Sequence, residues 1–335
     1  MREHDGAASR PRLALTLGDP AGIGPEIVEL AVREARVRGA ARLVLIGPDA
    51  SLPEGVRRIE RAELAGLGTE DELVAIATPG TSGIVVGRAS REAGEAALAA
   101  LEVGAELATS GAVDALVTAP VCKEALHLAG EHVEGQTELL ARWNEVSRYE
   151  MLAIAGEMRV MLLSRHLPLA SALERVTTAN VLDHLRLLAE TMKGLGFEKP
   201  NLALAGLNPH AGENGLIGSE ELEVLVPAVM AACEEGLRVS DPQPPDTIFI
   251  RAARGEFDAV LALYHDQAFI PLKLAGATPG IEPLTTIAGL SYLRVSPAHG
   301  TAFDIAGSGA ANPENLIAAV LQAAEWARAK LKSRA

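Results

Sequence analysis

Arg12-Leu-Ala-Leu-Thr-Leu-Gly-Asp-Pro-Ala-Gly-Ile-Gly-Pro-Glu26 is the stretch whose reading decides the fold class. Arg12–Leu17 is an apolar run of strand length that stops at a glycine turn. Pro25 suits the first turn of a helix, which the pattern carries to about Arg38. A strand that feeds a helix through a glycine turn is the unit of an α/β layer protein. Outward from it the alternation repeats. Strands are predicted at Arg42–Ile46, Leu73–Ala77, Val113–Thr118, Asn201–Leu207 and Phe257–Leu263. Helices are predicted at Ala89–Thr109, Glu138–Asn144, Thr178–Lys193, Glu220–Glu235 and Pro313–Ala329. Met151–Ala155 and Arg159–Leu163, joined by Gly156-Glu157, read as an antiparallel hairpin. Leu274–Pro283 reads as a glycine-rich loop. There is no internal repeat and no long Ser/Pro/Gly linker.

A chain of 335 residues suggests two domains or one large one. With 48% hydrophobic and 22% charged residues it can build a core, which excludes general disorder. Aromatics are only 3%, so the core is aliphatic and a stacking platform for nucleic acid is not expected. Forty-four acidic against 30 basic residues give a net charge of -14. That speaks against a polyanion-binding surface, while leaving room for a local basic pocket that takes a small phosphate. Cys122 and Cys233 are too few for a disulfide framework or a multi-cysteine zinc site, and read as thiols in a reducing compartment. Met1–Pro11 is polar, so no signal peptide is expected. No apolar run approaches the roughly 20 residues of a membrane span. The expected location is the cytoplasm, with neither nucleic acid nor membrane as partner.

The glycine turn is neither of two familiar phosphate loops. Ile27 stands where a dinucleotide G-x-G-x-x-G needs its third glycine, and no Gly-Lys-Ser/Thr follows. Its glycines serve either a ligand or a tight strand–turn–helix junction. Three histidines lie in polar loops after predicted strands: Ser164-Arg-His166-Leu-Pro168, Asn208-Pro-His210-Ala-Gly-Glu213 and Tyr264-His265-Asp-Gln267. Imidazoles from separate strand ends can meet at one metal and leave positions open for substrate; each alone is otherwise a hydrogen-bonding loop residue. Asp266 can orient a ligand or move a proton, or simply cap a helix. Asp246, in Pro244-Pro-Asp-Thr247, can likewise be a helix cap. Lys273 and Arg294 are isolated cations in apolar runs; if buried they need an anion, supplied by substrate or by an internal carboxylate. Gly135-Gln-Thr-Glu138 can serve the same anion, or Thr137 can cap the next helix. Lys123 is a candidate general base or anion ligand, or a surface lysine. His299-Gly-Thr-Ala-Phe-Asp-Ile-Ala-Gly307 either covers a cofactor or starts a short helix.

These motifs resemble the 4-hydroxythreonine-4-phosphate dehydrogenase family of pyridoxine biosynthesis. The resemblance rests on Gly18–Glu26, Gly135–Glu138, His166-Leu-Pro-Leu169, Gly206–Glu213, Pro245-Asp-Thr247, Tyr264–Gln267 and His299-Gly-Thr301, and runs from about Arg12 to about Ala329. It implies two α/β/α-layer domains around mixed, largely parallel sheets, like isopropylmalate dehydrogenase, with an interdomain cleft. The implied division is residues 1–130 with 300–335, and 131–299. It implies a homodimer with the active site at the subunit interface. A divalent metal (zinc, cobalt or magnesium) would be held by His166, His210 and His265 from both subunits. Substrate contacts would be Gln136, Thr137, Lys273, Thr285 and Arg294. Asn208 and Asp246 would touch NAD or NADP, and Lys123, Asp266 and Lys273 are candidates for proton transfer. The implied reaction is NAD-dependent oxidation and decarboxylation of 4-phosphooxy-L-threonine to 3-amino-2-oxopropyl phosphate. Two positions depart from the family pattern: Gln136 stands where His is common, and Thr285 where Asn is common. Gln lacks a cationic form and Thr lacks an amide donor. Oxidation of a threonate or erythronate 4-phosphate, or of a carboxylated cyclic diol, is therefore an alternative. A phosphate-dependent acyltransferase and a non-catalytic sensor of a phosphorylated metabolite are the readings from other classes. Neither predicts NADH production.

Overall fold

The computed structural model describes residues 10–68, 73–80 and 82–334, without the side chains of 333 and 334. Residues 1–9, most of the polar start read above, lie outside them. In chain order the strands are β1 (Arg12–Thr16), β2 (Arg42–Pro48), β3 (Arg57–Arg58), β4 (Leu73–Thr78), β5 (Ala115–Thr118), β6 (Glu150–Ala155), β7 (Met158–Leu162), β8 (Asn201–Leu204), β9 (Arg238–Val239), β10 (Ala259–Ala262), β11 (Leu284–Ala288) and β12 (Arg294–Pro297). The α-helices are α1 (Gly24–Arg33), α2 (Ala35–Ala40), α3 (Arg91–Thr109), α4 (Lys123–Leu128), α5 (Gln136–Trp143), α6 (Leu169–Glu174), α7 (Thr178–Gly194), α8 (Val226–Glu234), α9 (Ile248–Ala253), α10 (His265–Gly276) and α11 (Glu314–Arg334). Backbone packing divides the chain into two units, Met1–Glu145 with Leu290–Ala335, and Val146–Gly289.

In the first unit the strand order is β3-β4-β2-β1-β5-β12, and every neighbouring pair is parallel. Parallel strands covered on both faces read as continuous apolar runs, and that is why Leu13, Leu15, Leu43, Leu45, Leu116 and Val117 are all buried. Each such leucine contributes about 1.5–3 kcal/mol of burial. α3 can lie close to the sheet because its inner face is small: Ala93, Ala96, Ala97, Ala100 and Gly104 are buried. A Cβ on Gly104 would come within 2.8 Å of Leu116 Cδ1 and 3.0 Å of Thr16 Cγ2. Ser90 starts this helix, its hydroxyl accepting from Ala93 N at 3.1 Å.

The second unit has the order β11-β6-β7-β10-β8-β9. β6 and β7 form the expected antiparallel hairpin, and β11 extends it antiparallel. β7, β10, β8 and β9 are parallel. Val160, Leu162, Ala203, Val260 and Ala262 pack with Ile248, Phe249 and Leu272 into its core.

Several elements differ from the sequence reading. The first helix breaks at Glu34, which is extended, and resumes as α2. Glu220–Glu235 is not one α-helix: Glu221–Leu225 winds as a π-turn before α8. Pro227 lies just inside α8 and has no N–H to close an α-helical bond to Glu223, which favours the wider turn. β3, α4, α6, β9, α9, α10, β11 and β12 were not predicted. α10 contains Pro271, which breaks the helical pattern on paper but is accommodated. Among the described residues no helix is long and apolar enough to cross a membrane.

Candidate active site

β7, β10 and β8 are adjacent and parallel, so the loops after them leave the same edge of the second unit's sheet. His166 follows β7, His265 follows β10 as the first residue of α10, and His210 follows β8. The polar loops singled out in the sequence thus occupy the strand ends at which open α/β sheets bind ligands. His166 and His265 are neighbours, with ring centroids 5.6 Å apart. His265 stacks on Phe269 at 4.5 Å, and its Nδ1 pairs with Asp266 Oδ1 at 2.7 Å. A carboxylate on Nδ1 leaves Nε2 as the nitrogen with a free lone pair, the arrangement that orients a metal-ligating imidazole. Among the described residues of one chain, no three His, Cys, Asp or Glu side chains gather closely enough to hold an ion. The donor chemistry suits a divalent metal, and the single chain brings together two of the three imidazoles.

His210 sits on an unusual backbone. His210, Ala211, Gly212, Glu213 and Asn214 all have positive φ, between 43° and 76°. Left-handed turns cost a non-glycine residue roughly 1–2 kcal/mol, so something must hold them. Glu221 does. It is buried, its Oε1 accepts from Leu207 N (2.8 Å) and Asn208 N (2.7 Å), and its Oε2 accepts from Asn208 Nδ2 (2.8 Å). Asn208 Nδ2 also donates to Glu220 Oε2 at 2.7 Å, so both its protons are engaged and only Oδ1 remains for a cofactor. Gln267, also buried, accepts from Leu263 N (2.7 Å) and donates to Gly206 O (2.7 Å), tying the end of β10 to the end of β8. Sequence reasoning missed the roles of Glu221 and Gln267. Their only signal was a polar residue in or near a site motif, because their partners are mostly backbone amides and carbonyls.

Asp246 and Asp266 both line a cavity of about 810 Å³ in this unit, with Phe249, Tyr264, Ile270 and Leu274 among its walls. Asp246 is not the cap of α9; that position is Thr247, and no side-chain cap bond forms there. Lys273 is exposed on α10, so its charge is solvated rather than buried in an apolar run. Thr285 is half-buried on β11, opposite Ala153 of β6.

In the first unit Arg294 begins β12 and is buried. Its Nε and Nη2 donate to Thr118 Oγ1 at 3.1 and 2.7 Å, and Nη2 also donates to Gln136 Oε1 at 3.2 Å. Gln136 Nε2 donates to Ala119 O at 3.1 Å, which fixes the amide. Burial pushes the guanidinium down to about 10, so it still carries its charge at neutral pH. Thr137 is buried one residue into α5; the N-cap is Gly135, so Thr137 does not cap the helix. Lys123 is exposed at the start of α4, its Cε 3.8 Å from where a Cβ on Gly135 would stand. Thr118 was not singled out from sequence, because it looks like any strand-end threonine.

The glycine turn packs on its own chain. A Cβ on Gly18 would lie 2.3 Å from Pro120 O, one on Gly22 2.9 Å from Thr301 Cβ, and one on Gly24 2.1 Å from Leu17 O. Asp19 N donates to Pro120 O and Ile23 N to Thr301 O. Of the two readings left open, the tight junction accounts for these glycines. Asp19 is fully buried, and its Oδ1 accepts from Ala21 N at 2.8 Å. Burial raises the carboxyl above its ordinary range, opposed in part by the backbone amides of Ala21 and Cys122. The segment after His299 forms turns, not a helix; His299 Nδ1 approaches Gly300 O at 2.9 Å.

Parallel α/β sheets with histidines at strand ends, and a buried arginine held in a polar cradle, define a ligand-binding enzyme class rather than a structural protein. The sequence profile of the family described as pyridoxal phosphate biosynthetic protein PdxA matches residues 37–323, and the chain belongs to that family. D-threonate 4-phosphate dehydrogenase of Salmonella typhimurium is 40% identical over 94% of this chain and 98% of its own length. 4-Hydroxythreonine-4-phosphate dehydrogenase of Caulobacter vibrioides is 40% identical over 95% and 98%. The crystal structure of 4-hydroxythreonine-4-phosphate dehydrogenase from Klebsiella pneumoniae superposes with a TM-score of 0.84 at 35% identity, covering 95% of this chain and 99% of that one.

Proposed function

We propose that the protein is an NAD-dependent dehydrogenase that oxidises and decarboxylates 4-phosphooxy-L-threonine to 3-amino-2-oxopropyl phosphate in pyridoxine biosynthesis, in the cytoplasm. The observation that carries this reading is the placement of His166, His265 and His210 at the ends of three neighbouring parallel strands. Full-length similarity to proteins named as dehydrogenases of phosphorylated four-carbon acids supports it. Arg294, charged and held by Thr118 and Gln136, binds the phosphate, with Lys273 as a second cation and Thr137 and Thr285 as further contacts. Asp266 orients His265. Lys123, Lys273 and Asp266 are the groups that can hold or move a proton, and Asn208 and Asp246 contact the nicotinamide cofactor, NAD or NADP. When bound, a divalent ion on His166, His210 and His265 would lower the pKa of the substrate alcohol and polarise the resulting ketone. One chain assembles only part of that ligand set, and we infer that a homodimer completes it. Exposed Leu167, Leu169, Leu216, Ile270 and Leu274 lie near the three histidines in sequence and supply apolar surface for a partner subunit.

A second reading, oxidation of D-threonate 4-phosphate, is favoured by the similarity to the Salmonella typhimurium relative. The test is NADH production with each substrate in the presence of zinc, cobalt or magnesium. The expected result is turnover of 4-phosphooxy-L-threonine with the higher kcat/KM. A preference for D-threonate 4-phosphate selects the second reading, and no turnover of either phosphorylated acid overturns both.

A further inference from the structure

A second cavity, of about 430 Å³, is lined by residues of the first unit. Its walls include Trp143 and Tyr292, the helix residues Glu102, Glu106 and Thr109, and Asn144. Its volume is that of a small-molecule site. Glu102, Glu106 and Thr109 recur at helical spacing on α3, so one stripe of that helix faces the space. Among the described residues no Lys, Arg or His lines it. Glu106 is paired with Arg61 Nη1 at 2.5 Å, whereas Glu102 has no ion-pair partner among the described residues. The wall is held in place: Asn144 Nδ2 donates to Ser291 Oγ and its Oδ1 accepts from Ser291 N, both at 2.8 Å. Tyr292 is 7% exposed, and its hydroxyl is buried without a hydrogen-bond partner among the described residues.

We propose that this cavity binds a small organic cation with a flat ring, an arylalkylammonium. The aromatic walls accept the ring and attract the positive charge through their faces. The unpaired Glu102 carboxylate supplies the counter-charge and sets the sign. An anionic ligand of the same size would meet the unpaired Glu102 carboxylate, with the charge of Glu106 already matched by Arg61. The site does not depend on the activity proposed above.

The test uses the full chain, with 2-phenylethylamine and 3-phenylpropionate as size-matched probes of opposite charge at pH 7. Calorimetric titration is read together with tryptophan emission, and Trp143→Phe assigns the emission change. The expected result is saturable one-site binding of the amine, with the acid at least about tenfold weaker. Thr109→Phe, at an exposed helix position, should fill the space and abolish binding, and Glu102→Gln should weaken it about fivefold, the scale of one exposed charge pair. Unchanged circular dichroism melting of both variants shows that the fold is kept. Equal binding of acid and amine, or amine binding unaffected by Glu102→Gln, overturns the cationic assignment. No saturable amine binding, or binding that survives Thr109→Phe, overturns the site.

Discussion

A guanidinium taken out of water, as at Arg294, has to recover its lost hydration from fixed acceptors, and Thr118 Oγ1 and Gln136 Oε1 supply part of it. Lysine has one charged nitrogen and cannot reproduce the fork. Arg294→Lys should therefore raise KM for the phosphorylated substrate about ten- to a hundredfold, the equivalent of ~1.5–3 kcal/mol in charge-assisted hydrogen bonds, as steady-state kinetics would measure. Asp19 presents the opposite case, a carboxyl whose desolvation disfavours its charge. With the folded value raised above the unfolded one, its contribution is most favourable at low pH and is lost as pH rises through the folded value. Relative to Asp19→Asn, the wild-type protein should gain thermal stability as pH falls from 7 towards 4. A Tm difference that stays flat over that range would show that the carboxyl titrates normally. Much of this scale was legible: His166, His210, His265, Arg294 and Gln136 stand out as polar groups in apolar or glycine-rich surroundings. Thr118, Glu221 and Gln267 were not, because what distinguishes them is the distant backbone or side-chain group each one meets.

Among the elements, the alternation of short strands and helices carried through wherever one segment was long and uniformly patterned, as in α3 and α7. It failed where tertiary contacts override local signals. β12 is four residues with Arg at one end and Pro at the other, and it is pairing with a neighbour such as β5, not its own pattern, that makes it a strand. α10 carries Pro271 at its seventh position and was read as loop beyond it. The His210 turn is the extreme case, since left-handed backbone at His, Ala, Glu and Asn has no sequence signal beyond nearby glycines. The glycine turn after β1 allows a sharp prediction. Gly18→Ala places a methyl group 2.3 Å from Pro120 O at a φ of +72°, so both the backbone and its neighbour must give. Urea unfolding should show a loss of about 2 kcal/mol or more, combining left-handed strain with overpacking.

For the whole molecule, a shared active site makes a prediction that no single-chain defect can imitate. His166→Ala and His210→Ala are each expected to lose metal-dependent turnover. If those residues reach one site from different subunits, mixed dimers regain one intact site of two. Random exchange in an equimolar mixture should then restore about a quarter of wild-type activity, as symmetric dimers require. A mixture as inactive as its components would place both histidines in one subunit's site. The chain path has a further consequence. β5 acquires its neighbour β12 only after all of Val146–Gly289 has been made. On a ribosome adding about 5–20 residues per second, the nascent first unit would wait roughly seven to thirty seconds with the flank of β5 unclosed. For that interval the protein's own unfinished sheet is a template for stray pairing, and shielding by a chaperone would be needed most there.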